Sequence, residues 1–62
     1  MTTVNYYIED LATGLVVMND GQMMAFTPEA DAKAFSLHEL ALDYIDALPT
    51  GEYRIFSRIV KS

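Results

Sequence analysis

The sequence predicts an α+β fold of two layers, in which one α-helix packs on a three- or four-stranded antiparallel sheet in the order βββαβ. Three observations predict it. Apolar and polar residues alternate near both ends of the chain, short apolar runs flank an Asn-Asp-Gly turn, and the stretch SLHELALDYID has the period of an amphipathic helix. With 62 residues, the chain is expected to form a single small domain over residues 1–62.

The first strand is predicted in VNYYIED, a segment rich in aromatic and β-branched residues. Its alternation places Val4, Tyr6 and Ile8 on one face. The segment LATG then turns the chain, because Gly14 is free to take positive φ.

A hairpin is predicted around Asp20-Gly21, a dipeptide that favours a tight primed turn between LVVM and QMMAF. Met18, Met23 and Met24 surround this turn. Two interpretations of these methionines stay open: they fill the core of a small sheet, or they form an adaptable binding surface.

Residues 27–35, TPEADAKAF, fit two local structures. Thr27 followed by Pro28 could cap a helical turn in which Glu29 pairs with Lys33. The end of the segment could equally form a short strand that leads into the helix. The sequence favours a turn followed by a short extended piece.

The helix is predicted over residues 36–46, where Ser36 and Glu39 have the spacing of a capping box, and Phe35 precedes the cap as half of a hydrophobic staple. Pro49 and Gly51 then stop the helix. Its core-facing stripe is predicted to consist of Leu37, Leu40, Ala41, Tyr44 and Leu48.

The last strand is predicted in EYRIFSRIV, which alternates again. Tyr53, Ile55 and Ile59 are expected to face the helix. The opposite face is expected to carry Arg54, Phe56 and Arg58.

Charge is distributed unevenly along the chain. Nine acidic residues against four basic ones give a formal net charge of −5, with −7 over residues 1–50 and +2 over residues 51–62. Direct binding to nucleic acid is disfavoured, because it depends on lysine and arginine contacts to phosphates. A negative surface of this kind favours a basic protein as partner.

The core is small and has no covalent support. The chain contains no cysteine, so it has neither a disulfide nor a thiolate–metal site. A single core of this size supplies only ~3–5 kcal/mol, and a homodimer would add to it. The N-terminus lacks the pattern of a signal peptide, and no apolar run is longer than that of residues 15–18, which is too short for a membrane span, so no membrane partner is expected.

Catalysis and metal binding find little support in the sequence. His38 is the only histidine and is expected on the solvent side of the helix. There is no cysteine nucleophile or glycine-rich phosphate loop, and metal sites need several ligands with coordinated spacing. The sequence therefore predicts a protein that is not an enzyme and that uses no cofactor and no metal.

The outer face of the predicted helix is purely negative. Glu39, Asp43 and Asp46 follow one another at helical spacing, so like charges repel, and the latter two lie toward the negative end of the helix dipole. Leu42 lies beside them and off the core stripe. One interpretation is solubility alone; the other is that these carboxylates imitate phosphates and face a basic groove of another protein, with Leu42 in the contact.

A very small acidic chain with one predicted helix on an antiparallel sheet resembles phage-encoded inhibitors of bacterial nucleic-acid enzymes. Anti-CRISPR proteins that mimic DNA include members of this size. The run SLHELALDY, preceded by DGQMMAF, is similar in pattern to the phi29-type uracil-DNA glycosylase inhibitor, whose Glu and Tyr would correspond to Glu39 and Tyr44. The helix–Pro–Gly–strand ending is comparable to that of phage inhibitors of host RNA polymerase.

The resemblance implies a non-enzymatic inhibitor that works in the cytoplasm of a bacterial host. An anti-CRISPR protein is the first interpretation, and an inhibitor of uracil-DNA glycosylase or of host RNA polymerase is the alternative. A rival prediction of another class is a small structural or dimerising interaction module that uses its Met-rich hairpin or the Phe56 side of the sheet. The predicted partner-binding residues are those of the helix face, followed by acids near the sheet's loops: Glu39, Leu42, Asp43 and Asp46, then Glu9, Asp10 and Asp20.

Overall fold

The computed structural model describes residues 2–61. The elements are β1 (Thr2–Asp10), β2 (Val16–Val17), β3 (Met23–Met24), α1 (His38–Asp46) and β4 (Tyr53–Lys61). The four strands form one antiparallel sheet in the order β3-β2-β1-β4, and the helix lies over β1 and β4. The predicted α+β class and the element order βββαβ are confirmed.

The two long strands, β1 and β4, form the main part of the sheet. Their pairing runs from Thr2 opposite Lys61 to Asp10 opposite Tyr53. The turn that follows β1 contains Gly14 at φ 74°, which is the conformation that the sequence predicts there.

The β2–β3 hairpin differs from the predicted tight turn. Asp20 does not have the positive φ that a primed two-residue turn requires, whereas Gly21 has φ 87°. The N–H of Gly21 donates to the carbonyl of Met18 at 3.0 Å, and the N–H of Met18 donates to the carbonyl of Gln22 at 2.8 Å. This is the three-residue loop with glycine in the left-handed position, and the Asp20 carboxylate stabilises it by accepting the N–H of Gln22 at 2.9 Å.

Residues 27–35 form the turn and the extended piece that the sequence favours. A 3.0 Å backbone hydrogen bond from Ala30 to Thr27 closes the turn. The extended piece then pairs with the sheet through two antiparallel bridges, Ala32 with Met18 and Phe35 with Tyr6.

The helix begins two residues later than predicted. Its N-cap is Leu37 in an extended conformation, and no side chain caps it, so the predicted capping box of Ser36 and Glu39 is wrong. The chain is held to the sheet until two residues before this N-cap. The backbone of Phe35 is hydrogen-bonded in both directions to that of Tyr6, at 2.9 Å each, which keeps the chain extended to that point.

The buried side of the helix is rotated relative to the predicted stripe. Leu37 and Leu40 were expected in the core, but both are exposed, Leu40 by 46%. Ala41 is fully buried, and its small side chain lets the helix backbone approach the sheet. The core side of the helix is completed by Tyr44, Ile45 and Leu48.

The helix covers only part of β4. Its first residue, His38, lies beside Tyr6, with ring centres 5.7 Å apart. The next pair along the two strands, Val4 opposite Ile59, lies beyond this point. Ile59 was expected to face the helix, but it is 65% exposed because the helix does not reach it.

The core lies between the helix and the sheet, and its buried centre consists of Ile8, Val17, Phe35 and Ala41. Met18 is also buried, which agrees with the core interpretation of the methionines for that residue. Met24, on β3, is exposed, so for this residue the interpretation as part of a binding surface stays open.

The opposite face of the sheet carries a cluster of three aromatic rings, Tyr7, Phe26 and Phe56, with centres 5.1 to 5.4 Å apart. Arg54 lies over the ring of Phe56 at 5.8 Å, and Arg58 over that of Phe26 at 5.3 Å. The predicted orientation of this side of β4, away from the helix, is confirmed. We call these five side chains the aromatic face.

Candidate functional site

The acidic stripe consists of Glu39, Asp43 and Asp46 on α1, all of which are exposed. At ~100° per residue, their side chains fall within ~60° of the helix circumference, on the side opposite Ala41. Along the axis they span ~10 Å. Among residues 2–61, none of the three carboxylates takes part in a hydrogen bond or an ion pair.

Folding gains little from this arrangement. Glu39 with Asp43, and Asp43 with Asp46, are like charges one turn apart, which costs about 0.2–0.5 kcal/mol for each pair. Glu39 lies in the first turn, where the helix dipole stabilises a carboxylate, but Asp46 lies in the last turn, which contains no basic residue. Helix stability therefore does not explain the stripe.

Exposed leucines flank the stripe on both sides. Leu42 is 48% exposed and lies off the core, as the sequence predicts. Leu40 lies on the other side of the acids, and sequence reasoning missed it because it assigned this residue to the core. The surface thus has a charged centre with apolar margins.

The other acids that were predicted to bind a partner each make a contact that serves the fold. Glu9 projects from the aromatic side of β1, and its carboxylate accepts hydrogen bonds from Arg54 at 2.6 and 2.9 Å. The carboxylate of Asp10 accepts the N–H of Ala12 at 2.9 Å, in the turn after β1. Asp20 stabilises the hairpin loop. Glu9 lies on the face of the sheet opposite the helix, so it does not share a surface with the stripe.

The three basic side chains that the structure describes all lie against aromatic rings. Lys33 Nζ is 5.6 Å from the ring centre of Phe35 and 5.5 Å from that of Tyr44. Arg54 and Arg58 belong to the aromatic face. Cation–π contacts of this kind contribute ~0.5–1 kcal/mol at exposed sites. The fold therefore uses these positive charges, whereas the negative charges of the stripe are left to solvent.

Tyr44 belongs to the core rather than to the exposed surface. It is half-buried, and its ring centre lies 5.4 Å from that of Phe35. The resemblance to the glycosylase inhibitor pairs Glu39 with Tyr44, but the two side chains face different sides of the helix.

A second acidic group, which sequence reasoning missed, lies at the tip of the hairpin. Asp20, Glu29 and Asp31 line a cleft of about 360 Å³ that also contains the exposed Met24. The carboxylate of Asp31 accepts a 2.7 Å hydrogen bond from the side chain of Asn19, which joins the two segments. The spacing of acids in PEAD is visible in the sequence, but their approach to Asp20 depends on long-range backbone pairing that no local pattern reveals.

No protein-family model, curated protein or solved structure matches this chain. The resemblance to phage inhibitors therefore stays a prediction. Within residues 2–61, no group of three or more His, Asp or Glu side chains is placed to hold a metal ion. In the same part of the chain, no helix has the length and the apolar character that crossing a membrane requires.

Proposed function

We propose that this protein is a non-enzymatic inhibitor that binds a basic, nucleic-acid-handling bacterial protein by presenting a DNA-like row of negative charge. The observation that carries the proposal is the acidic stripe, whose carboxylates are exposed and electrostatically unfavourable for the helix that bears them. A charge arrangement that folding does not favour is best explained by a partner that requires it.

The spacing of the stripe supports imitation of a phosphate backbone. Its carboxylates follow at intervals of ~4.5–6 Å along the helix axis, compared with ~3.4 Å per phosphate along one DNA strand. The row is therefore somewhat sparser than DNA, and the net charge of −5 adds long-range attraction toward a basic groove. The exposed Leu40 and Leu42 add apolar contact at the margins.

A CRISPR effector is the first candidate target, and a uracil-DNA glycosylase or a host RNA polymerase comes second. Each of these enzymes handles nucleic acid through a basic groove, so the stripe suits all of them. The glycosylase form receives less support because Tyr44 is packed against Phe35. The proposal places the protein in the cytoplasm of a bacterial host, where these targets work.

The test compares two charge-reversed variants on immobilised protein exposed to a bacterial lysate. Asp43→Lys with Asp46→Lys reverses two of the three charges of the stripe, and Glu29→Lys with Glu52→Lys is the matched control at exposed positions outside α1. Each double variant changes the formal net charge from −5 to −1, because each substitution adds two charges. Captured proteins are then eluted with duplex DNA.

We expect the wild type and the control variant to capture a nucleic-acid-binding protein, and duplex DNA to displace that protein. The Asp43/Asp46 variant should not capture it. Binding should also weaken steeply with added salt, because its contacts are electrostatic. Equal capture by both double variants, or a captured partner that duplex DNA does not displace, would contradict the proposal.

A second candidate function, a small interaction module, is favoured by the apolar residues exposed away from the stripe, on β3 and β4. A partner bound there would be held by apolar burial and backbone pairing. Its affinity would stay constant or rise with salt, which separates the two functions in one titration.

A further inference from the structure

The outer edge of β4 is open. β4 is the terminal strand of the sheet, and among residues 2–61 only β1 pairs with it. It is nine residues long, and an exposed edge of this length is a ready template for pairing with another strand.

The direction of the backbone groups along this edge follows from the pairing of β1. The N–H and C=O groups of Tyr6 are bonded to Phe35, on the side of β1 away from β4. Because backbone groups alternate along a strand, the even residues of β1 point away from β4 and its odd residues point toward it. Their partners on β4 are even-numbered residues such as Phe56 and Arg58. The free edge therefore presents the backbone groups of Tyr53, Ile55, Ser57 and Ile59.

Apolar side chains accompany this edge. Ile59 is 65% exposed on the helix side of the sheet, and Val60 is 43% exposed on the other side. The monomer thus leaves apolar surface uncovered on both sides of one open strand edge.

Strand length and charge together select one register for pairing with a second copy, because centring the pairing on Ile55 or on Ile59 would pair only five residues of β4. Odd-numbered residues of β4 in one copy must pair with odd-numbered residues of β4 in the other, because these residues carry the backbone N–H and C=O groups that point outward. Centring the pairing on Phe56 or on Arg58 sets two arginines directly opposite each other, which is unfavourable. Centring it on Ser57 avoids like charges: Ile55 then meets Ile59, Phe56 meets Arg58, and all nine residues of the strand take part.

We propose that two copies of this chain associate edge to edge through antiparallel β4 strands, with Ser57 on the two-fold axis. Each copy covers the exposed Ile59 with Ile55 of the second copy, and Val60 lies opposite Arg54. The two sheets join into one eight-stranded sheet. Directly opposed residues point to the same face, so both helices and both acidic stripes lie on one side of the dimer.

The test uses single cysteines, because the natural chain contains none. In the proposed register, the two copies of Ser57→Cys have Cα atoms ~5.5 Å apart, which suits a disulfide. Ile59→Cys is the matched control on the same strand: its two copies lie ~14 Å apart along the sheet and cannot be joined. Ser36→Cys, on an exposed residue before the helix, measures random crosslinking.

Under mild oxidation, Ser57→Cys should give mainly covalent dimer, and Ile59→Cys should give no more than Ser36→Cys. Sedimentation equilibrium of the wild type should show a mass rising toward twice 6.9 kDa with concentration. Ser57→Pro should keep the monomer fold, since the lost N–H points outward, and should shift the mass to that of the monomer, whereas Ser57→Thr should still dimerise.

Three results would overturn the proposal. These are a wild type that stays monomeric at millimolar concentration, equal crosslinking by Ser57→Cys and Ile59→Cys, or a folded Ser57→Pro that still dimerises. If circular dichroism shows that Ser57→Pro does not fold, the comparison of Ser57→Cys with Ile59→Cys tests the proposed register instead.

Discussion

On α1, three carboxylates stand exposed at the helix surface, whereas on β4 the guanidinium groups of Arg54 and Arg58 lie over aromatic rings. Arg54 also holds Glu9 across the sheet. Arg54 and Arg58 therefore take part in packing, whereas the three carboxylates of the helix do not. This difference indicates different roles for the two elements. The aromatic face of β4 stabilises the fold, whereas the acidic side chains on the outer face of α1 make no contact that folding needs and could contact a partner.

The largest expected effect lies in the core, which supports both regions. Ile8 is fully buried, and Ile8→Ala should cost ~2–5 kcal/mol, comparable with the whole stability of ~3–5 kcal/mol of a domain this small. Leu40→Ala, a truncation of similar size on the exposed flank of α1, should cost less than ~1 kcal/mol. Thermal and urea unfolding followed by circular dichroism measure both. Equal destabilisation would return Leu40 to the core.

The aromatic face should show the next largest effect. Phe56 is half-buried and contacts the rings of Tyr7 and Phe26, so Phe56→Ala should lower the free energy of unfolding by ~2–3 kcal/mol, less than a fully buried phenylalanine would. Met24→Ala, at an exposed position, is the control and should lie within ~0.5 kcal/mol of wild type. If Phe56→Ala were neutral, the cluster would not stabilise the fold, and the contrast between β4 and α1 would fail.

The strands could be predicted from the sequence better than the helix, for physical reasons. Alternation in a strand has a period of two, so the faces of β1 and β4 could be predicted from residue types alone. The start and the rotation of the helix depend on tertiary contacts: the backbone pairing of Phe35 with Tyr6, and the close approach at Ala41. Neither contact leaves a local signal, and so the capping box and the core position of Leu40 were predicted wrongly.

The candidate site divides in the same way. The acidic stripe depends only on helical spacing, so it could be predicted without knowledge of the sheet. The role of Glu9 depends on Arg54, 45 residues away along the chain, and the role of Asp20 depends on the three-residue form of the hairpin loop. Both carboxylates are used by the fold, which residue type alone does not reveal.

A smaller effect, of opposite sign, is expected on the acidic stripe. Asp46→Lys removes a repulsion and places a cation in the last turn of α1, which should raise the free energy of unfolding by ~0.3–1 kcal/mol. Asp46→Asn removes the repulsion alone and should give a smaller rise. Both are measured by urea unfolding at low ionic strength, and added salt should reduce both gains. A loss of stability would mean that the Asp46 carboxylate already serves the fold as Glu9 does.

The smallest change in stability is expected at Leu42. A substitution there should affect partner binding and leave folding almost unchanged. Because its side chain is 48% exposed and lies off the core, Leu42→Ala should alter the free energy of unfolding by no more than ~0.5 kcal/mol. Leu11→Ala, at an exposed leucine in the turn after β1, is the matched control for the same truncation. In a titration with the partner captured by the wild type, Leu42→Ala should weaken binding about five- to tenfold, since an apolar margin excludes water from the charged contact, and Leu11→Ala should not. Unchanged binding by Leu42→Ala would mean that the partner reads the carboxylates alone, as it would read the phosphates of DNA.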